Sequence, residues 1–220
     1  MNSRNFGYLT RYYFPQYILG KRVSLEFKNV ENAYTDLKKI FMPNWYLKSD
    51  IKEILKIDDN ISAFDVSKAL VNGSQIHEAF HIKFTPFDYL EEIIQLQEKF
   101  GNISQPILNL VEDIYIETAG EEKYQQIIKW IDLKNQFLFS DNSFLDISGA
   151  YEENISGIMQ ILPSLKRKSH RVDPIFQSGL LEQVWKLFSK IWENHNNFRF
   201  FTSRIDLAIE IIELLKSNVD

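Results

Sequence analysis

Apolar residues repeat at every fourth position in SQIHEAFHIKF, residues 74 to 84, and this repeat constrains the fold more than any other feature. Ile76, Phe80 and Phe84 form one strip, and His77 and His81 lie on the neighbouring strip. Residues four apart in an α-helix lie one above the other, so the spacing predicts a helix that buries the apolar strip. The same spacing places the two histidines side by side on one face.

Similar patterns assign most of the remaining chain to helices. The alternation in RVSLEF predicts a half-buried strand within a small sheet or hairpin formed from residues 7 to 28. NISAFDV, residues 60 to 66, favours a further strand, and Asn72-Gly73 favours a turn. Thr85 is predicted to be the N-cap, and Pro86 the first residue, of a helix that ends at Gly101. Helices are predicted at residues 31–42, 49–57 with Ser49 or Asp50 as cap, 87–100, 105–139 with an interruption near Gly120, 150–163, 174–194 and 203–217. The predicted class is α+β and predominantly helical.

Composition excludes several kinds of protein. With 220 residues, 45% hydrophobic and 25% charged, the chain has the composition of one globular domain. A net charge of −5 argues against a nucleic-acid partner. Neither a signal peptide nor an apolar stretch of about 20 residues is visible, so we expect a soluble, cytoplasmic protein without a membrane partner. Because there is no cysteine, any metal must be held by His, Asp, Glu or water.

The segment HEAFH is suited to metal chemistry. On a helix, His77 and His81 can offer two neutral nitrogens to one ion, while Glu78 is offset and can take a proton from a metal-activated water. The simpler alternative is a surface helix whose histidines are solvated or paired with nearby acids. A catalytic zinc site needs three protein ligands and an open position, so a third donor should follow on another element.

The stretch LNLVEDIYIE, residues 108 to 117, offers candidates for that third donor. Asn109, Glu112 and Asp113 cluster on one side of the predicted helix, opposite its apolar side. Such a cluster is often only a solvated face. An asparagine beside two carboxylates, however, also suits a ligand supported by hydrogen bonds from a neighbouring side chain.

Together, HEAFHIKFT and NLVEDIYIE resemble the gluzincin-type metallopeptidases of bacteria and their phages. The similarity is to the peptidase-like region that precedes a von Willebrand A domain in proteins of the cobaltochelatase CobT type, and it covers about residues 74 to 117. It implies one zincin-like domain over residues 1–220. That domain would have an N-terminal sheet and helices (1–73), the metal-site helices (74–119) and a helical C-terminal part (120–220).

The resemblance also implies roles for individual residues. His77, His81 and Glu112 would bind Zn²⁺, and Glu78 would be the general base. Asp113 would orient a histidine, with Asn109 in support, although Glu112 and Asp113 could exchange roles because spacing does not separate adjacent acids.

The chain departs from the family pattern in two places. Tyr115 stands where the family often has arginine, and the chain contains no Asp-x-Ser-x-Ser metal-adhesion motif. A group facing the oxyanion is also required, and Tyr115, Tyr151, His170 and His195 are candidates without a supporting motif.

The leading prediction is therefore a zinc metallopeptidase that hydrolyses peptide bonds in a peptide or protein substrate. The alternative, from a different class, is a non-catalytic scaffold or assembly protein that keeps the zincin fold and binds a protein partner. Zinc with a closed fourth coordination position would favour the scaffold, whereas the presence of Glu78 favours the enzyme.

Overall fold

The computed structural model describes residues 13–57, 60–86, 88–138 and 179–218. Over these residues the chain is mostly helical with a three-stranded sheet, which confirms the predicted α+β, predominantly helical class. Similarity to the zincin fold and the single-domain organisation stay predictions. In chain order the elements are α1 (Tyr13–Leu19), β1 (Ser24–Lys28), β2 (Tyr34–Thr35), β3 (Lys39–Pro43), α2 (Ile51–Ile54), α3 (Ala63–Phe84), α4 (Leu90–Phe100), α5 (Ser104–Lys123), α6 (Gln125–Leu138), α7 (Gly179–Glu193) and α8 (Phe201–Asn218).

The sheet has the strand order β1-β3-β2, with β1 parallel and β2 antiparallel to the central strand. The strand predicted in RVSLEF is confirmed, although residues 13–19, expected in the same sheet or hairpin, form α1. The helix predicted over residues 31–42 is wrong, because β2 and β3 occupy this segment. Ile40, Phe41 and Met42 are all buried in β3. Such a short apolar run fits a buried strand as well as a helix, and pairing along both edges decides in favour of the strand.

Helix α3 is longer at its N-terminus than the sequence indicated. Ser62 caps it: the Ser62 Oγ accepts a hydrogen bond from the Asp65 backbone N at 3.1 Å and donates one to Asp65 Oδ2 at 2.5 Å. The strand predicted in residues 60–66 is therefore wrong. The predicted turn at Asn72-Gly73 is also wrong, because both residues lie inside α3.

The chain divides into two compact units. The first comprises Met1–Phe84 and Gly120–Ser140, and in it α3 packs against α1, α6 and the sheet. The main hydrophobic cluster of this unit contains the buried residues Val23, Ile40, Met42, Tyr46, Ile51, Val66, Ala69, Leu70, Val71 and Phe137.

The second unit comprises Thr85–Ala119 and Asp141–Asp220. Its described helices include α7 and α8, which confirm the two predicted C-terminal helices, although residues 174–178 of the first prediction lie outside the described residues. Both helices bury a set of apolar residues. Their buried apolar residues are Leu181, Val184, Phe188, Ile191, Phe201, Ile205, Leu207, Ala208, Ile211, Ile212 and Leu215.

Other helix boundaries differ from the predictions for local reasons. Helix α4 begins at Leu90 rather than at Pro86, so Thr85 is not its N-cap, but the helix does end at Gly101, where φ is 75°. The interruption expected near Gly120 occurs at Tyr124, between α5 and α6. Gly120 itself is helical, and a Cβ there would lie 2.1 Å from the Phe80 ring.

Of the helix predicted at residues 49–57, only one turn is helical, as α2; Asp50 occupies its N-cap position, but its side chain makes no capping hydrogen bond. The helix predicted at residues 150–163 lies outside the described residues. None of the helices that the structure describes is both long and apolar enough to cross a membrane.

Candidate metal centre

Helix α3 places His77 and His81 one turn apart, with their rings nearly perpendicular in an edge-to-face arrangement. The Nε2 atoms are 3.2 Å apart, and the ring centroids are 4.8 Å apart. Two nitrogens bound to one zinc ion at about 2.05 Å in a tetrahedral arrangement would be about 3.3 Å apart. The spacing therefore fits two ligands of one ion, as the sequence predicted for this pair.

Glu78 lies next to His77 on α3 and is buried, with 5% of its surface exposed. One turn earlier on the helix, the Ser74 Oγ donates a hydrogen bond to the Tyr46 Oη at 3.3 Å. Burial, together with the negative charge of Glu78, raises the pKa of Tyr46. Tyr46, Ser74 and Glu78 thus form a buried polar strip along α3.

Sequence reasoning missed Tyr46 and Ser74. Ser74 stands four residues before Glu78, and that helical spacing could have identified it. Tyr46 lies in a 3-10 helix, Asn44–Leu47, where no periodic pattern marks it.

Glu112, the third ligand implied by the family resemblance, lies in α5 and is buried. Its Oε1 accepts a hydrogen bond from the Thr85 Oγ1 at 2.6 Å. Its Oε2 lies 2.8 Å from the Arg204 Nε in an ion pair. Both carboxylate oxygens therefore contact side-chain donors of the protein.

Asp113, the next residue, has a carboxylate oxygen close to the ring nitrogens of both histidines. His77, His81 and Asp113 each offer one ligand atom, and these atoms all lie within 4.8 Å of one another. This group could hold a metal ion, and its donors do not by themselves define which metal. Asn109, predicted to support the ligands, is exposed on α5.

The candidates for stabilising an oxyanion have different surroundings. Tyr115 is buried, with the Arg204 guanidinium 4.0 Å from its ring centroid, and burial raises its pKa. His195 lies in the 3-10 helix that follows α7. Tyr151 and His170 lie outside the described residues.

Comparison with known proteins adds no relative. Neither a family model, nor a curated protein, nor a solved structure matches this chain. The function of this chain is therefore inferred from its own residues and their geometry.

Proposed function

We propose that this chain is a zinc-dependent metallopeptidase. The observation that carries the proposal is the pair of imidazole nitrogens on α3, whose 3.2 Å separation fits two ligands of one ion. The His-Glu-x-x-His spacing supports it, because it adds a carboxylate beside the pair that is offset from the ligands.

The residues that would hold the ion are His77, His81 and Asp113. Two imidazoles and one carboxylate are a donor set typical of catalytic zinc, which binds three protein ligands and keeps a fourth position open. When bound there, zinc would supply a Lewis acid that polarises a substrate carbonyl.

Glu78 would act as the general base. Glu78 follows His77 on the helix, so its side chain projects about 100° around the helix axis from that of His77. It is therefore close to the ligands but points in a different direction. A carboxylate in this position can take a proton from the attacking water and give it to the leaving amine. Burial of Glu78 excludes competing bulk solvent from its surroundings.

The test is the metal content of the purified protein by plasma mass spectrometry. We expect about one zinc per chain in the wild type and a loss of zinc in His77→Ala and His81→Ala. His195→Ala is the matched control, because it removes a histidine outside this group, and it should keep zinc. A folded wild type that contains no zinc even after reconstitution would contradict the proposal.

The variant Glu78→Gln separates the enzyme from a non-catalytic scaffold. In the enzyme it should keep zinc and lose peptide hydrolysis by a factor of about 100 or more, since general-base catalysis is removed. Unchanged biological activity with zinc fully bound in Glu78→Gln would favour the scaffold.

A further inference from the structure

Arg204 is fully buried, with 0% of its surface exposed, which is unusual for an arginine. It comes from α8, and several contacts hold it, including an aromatic contact in which its Cζ lies 5.1 Å from the Phe201 ring centroid. Its Nε pairs with the Glu112 Oε2 at 2.8 Å, its Nη1 donates a hydrogen bond to the Phe198 carbonyl oxygen at 3.2 Å, and its guanidinium lies 4.0 Å from the Tyr115 ring centroid. These contacts fix both the position and the plane of the guanidinium.

The same contacts fix the carboxylate of Glu112. The Thr85 Oγ1 donates to one oxygen, and Arg204 pairs with the other. If Glu112 turned away, the guanidinium would remain buried without its counter-charge, and such an uncompensated charge is strongly unfavourable. Glu112 is therefore held as the counter-ion of Arg204.

Fixing Glu112 also sets the direction of its neighbour. Successive residues of an α-helix project about 100° apart, so Glu112 and Asp113 cannot point to the same place. With Glu112 directed at Thr85 and Arg204, the side chain of Asp113 is presented on a different side of α5.

From this geometry, and given the proposed function, we propose that Arg204 is a positioning residue that keeps Glu112 out of the ligand set and leaves Asp113 as the acid ligand. Arg204 acts through Glu112 and through the rotational setting of α5. The pairing of Arg204 with Glu112 thus decides which of the two adjacent acids is the ligand, a question that sequence spacing leaves open.

The test compares zinc affinity, measured by competition with a chromophoric chelator, and the midpoint of denaturant unfolding. Asp113→Asn should weaken zinc binding about 100-fold or more, because it removes a ligand charge, with little effect on the unfolding midpoint. Glu112→Gln should change zinc affinity less than about fivefold and lower the unfolding midpoint, because it leaves Arg204 without its counter-charge. Glu121→Gln, an exposed acid on the same helix, is the matched control and should change neither.

Variants of Arg204 test the positioning role directly. Arg204→Met should weaken zinc binding about tenfold or more, because it releases Glu112 from its ion pair and with it the rotational setting of α5 that presents Asp113, and Arg204→Lys should restore part of this affinity by keeping the charge. If Arg204→Met does not fold, the comparison of Glu112→Gln with Asp113→Asn still decides.

Two results would overturn this assignment: zinc affinity retained in Asp113→Asn but lost in Glu112→Gln, or wild-type affinity in a folded Arg204→Met. Either result would leave the proposed zinc-dependent activity standing, because the wild type would still bind zinc, although the first result would make Glu112 the acid ligand in place of Asp113. A wild type that binds no zinc would overturn the proposed function together with the assignment.

Discussion

The substitution Gly73→Ala tests how closely α3 and α6 approach each other. A Cβ at Gly73 would lie 2.4 Å from the Trp130 carbonyl oxygen and 2.5 Å from the Lys134 Cβ. Both atoms are fixed to the backbone of α6, so no change of rotamer can move them aside. The two helices would have to separate, or α3 would have to bend.

The expected loss of stability follows from two opposing effects. Restoring ordinary contact from 2.4 Å requires a movement of about 1 Å, and overpacking of this kind costs about 3 kcal/mol when backbone must move. Alanine gains about 1 kcal/mol over glycine from helix propensity. We therefore expect Gly73→Ala to lower the free energy of unfolding by about 2 kcal/mol.

Urea denaturation followed by far-ultraviolet circular dichroism measures this change. With a slope of about 2 kcal/mol per molar urea, the midpoint should fall by roughly 1 M. Gly179→Ala is the matched control: this glycine begins α7, and a Cβ there would meet no described atom within 4 Å. Its midpoint should stay the same or rise slightly.

A Gly73→Ala variant as stable as Gly179→Ala would refute the reasoning. It would mean that α3 and α6 are not in backbone contact at this point, so that glycine is not required there.

Two further predictions concern buried polar groups of the first unit. The Ser67 hydroxyl is buried and has no hydrogen-bond partner among the described residues. Ser67→Ala should therefore raise the free energy of unfolding by about 1 kcal/mol in the same urea assay, and a variant less stable than the wild type would contradict this. Burial and the charge of Glu78 raise the pKa of Tyr46, so above about pH 10 the unfolded chain releases this proton before the folded chain does. The free energy of unfolding should therefore fall as the pH rises through that range. In urea midpoints measured from neutral to alkaline pH, the midpoint of Tyr46→Phe should fall less steeply than that of the wild type. Equal pH dependence in the two proteins would contradict the assignment.

The parts of the fold that could be predicted are those in which local pattern and tertiary packing agree. Helices α7 and α8 carry apolar residues at helical spacing, and the structure buries most of them, among them Val184, Phe188, Ile191, Ile205, Ile212 and Leu215. The alternation in RVSLEF, which overlaps β1, is equally informative, because that strand exposes one side more than the other.

The errors occur where distant contacts override the local pattern. Residues 39–43 form a strand because partners on both edges pair with them, and nothing within the segment records those partners. Asn72-Gly73 resembles a turn in the sequence, but both residues lie inside α3, and residue 73 is a glycine because α6 passes too closely for a side chain.

The candidate site also has one part that local sequence predicts and one part that depends on distant contacts. The spacing of His77 and His81 depends on one helix, so it could be predicted from the sequence. In the proposed site, the choice between Glu112 and Asp113 depends on Arg204, which lies far along the chain, and no spacing rule connects them. The HEAFH segment predicts the pair of histidines, but nothing near it in the sequence predicts which acid accompanies them.

The order of chain segments in the two units affects how the protein is made on the ribosome. The first unit takes α6 from beyond Ala119, so the packing partner of α3 is synthesised only after about 35 residues of the second unit, from Thr85 onward. At a rate of about 5–20 residues per second, synthesis from Thr85 to the end of α6 at Leu138 takes roughly 3–11 s, and the surface of α3 that contacts α6 stays uncovered during this time. During that interval the nascent chain exposes the face of α3 that α6 covers in the folded unit, and a chain terminated after Phe84 would keep that face exposed.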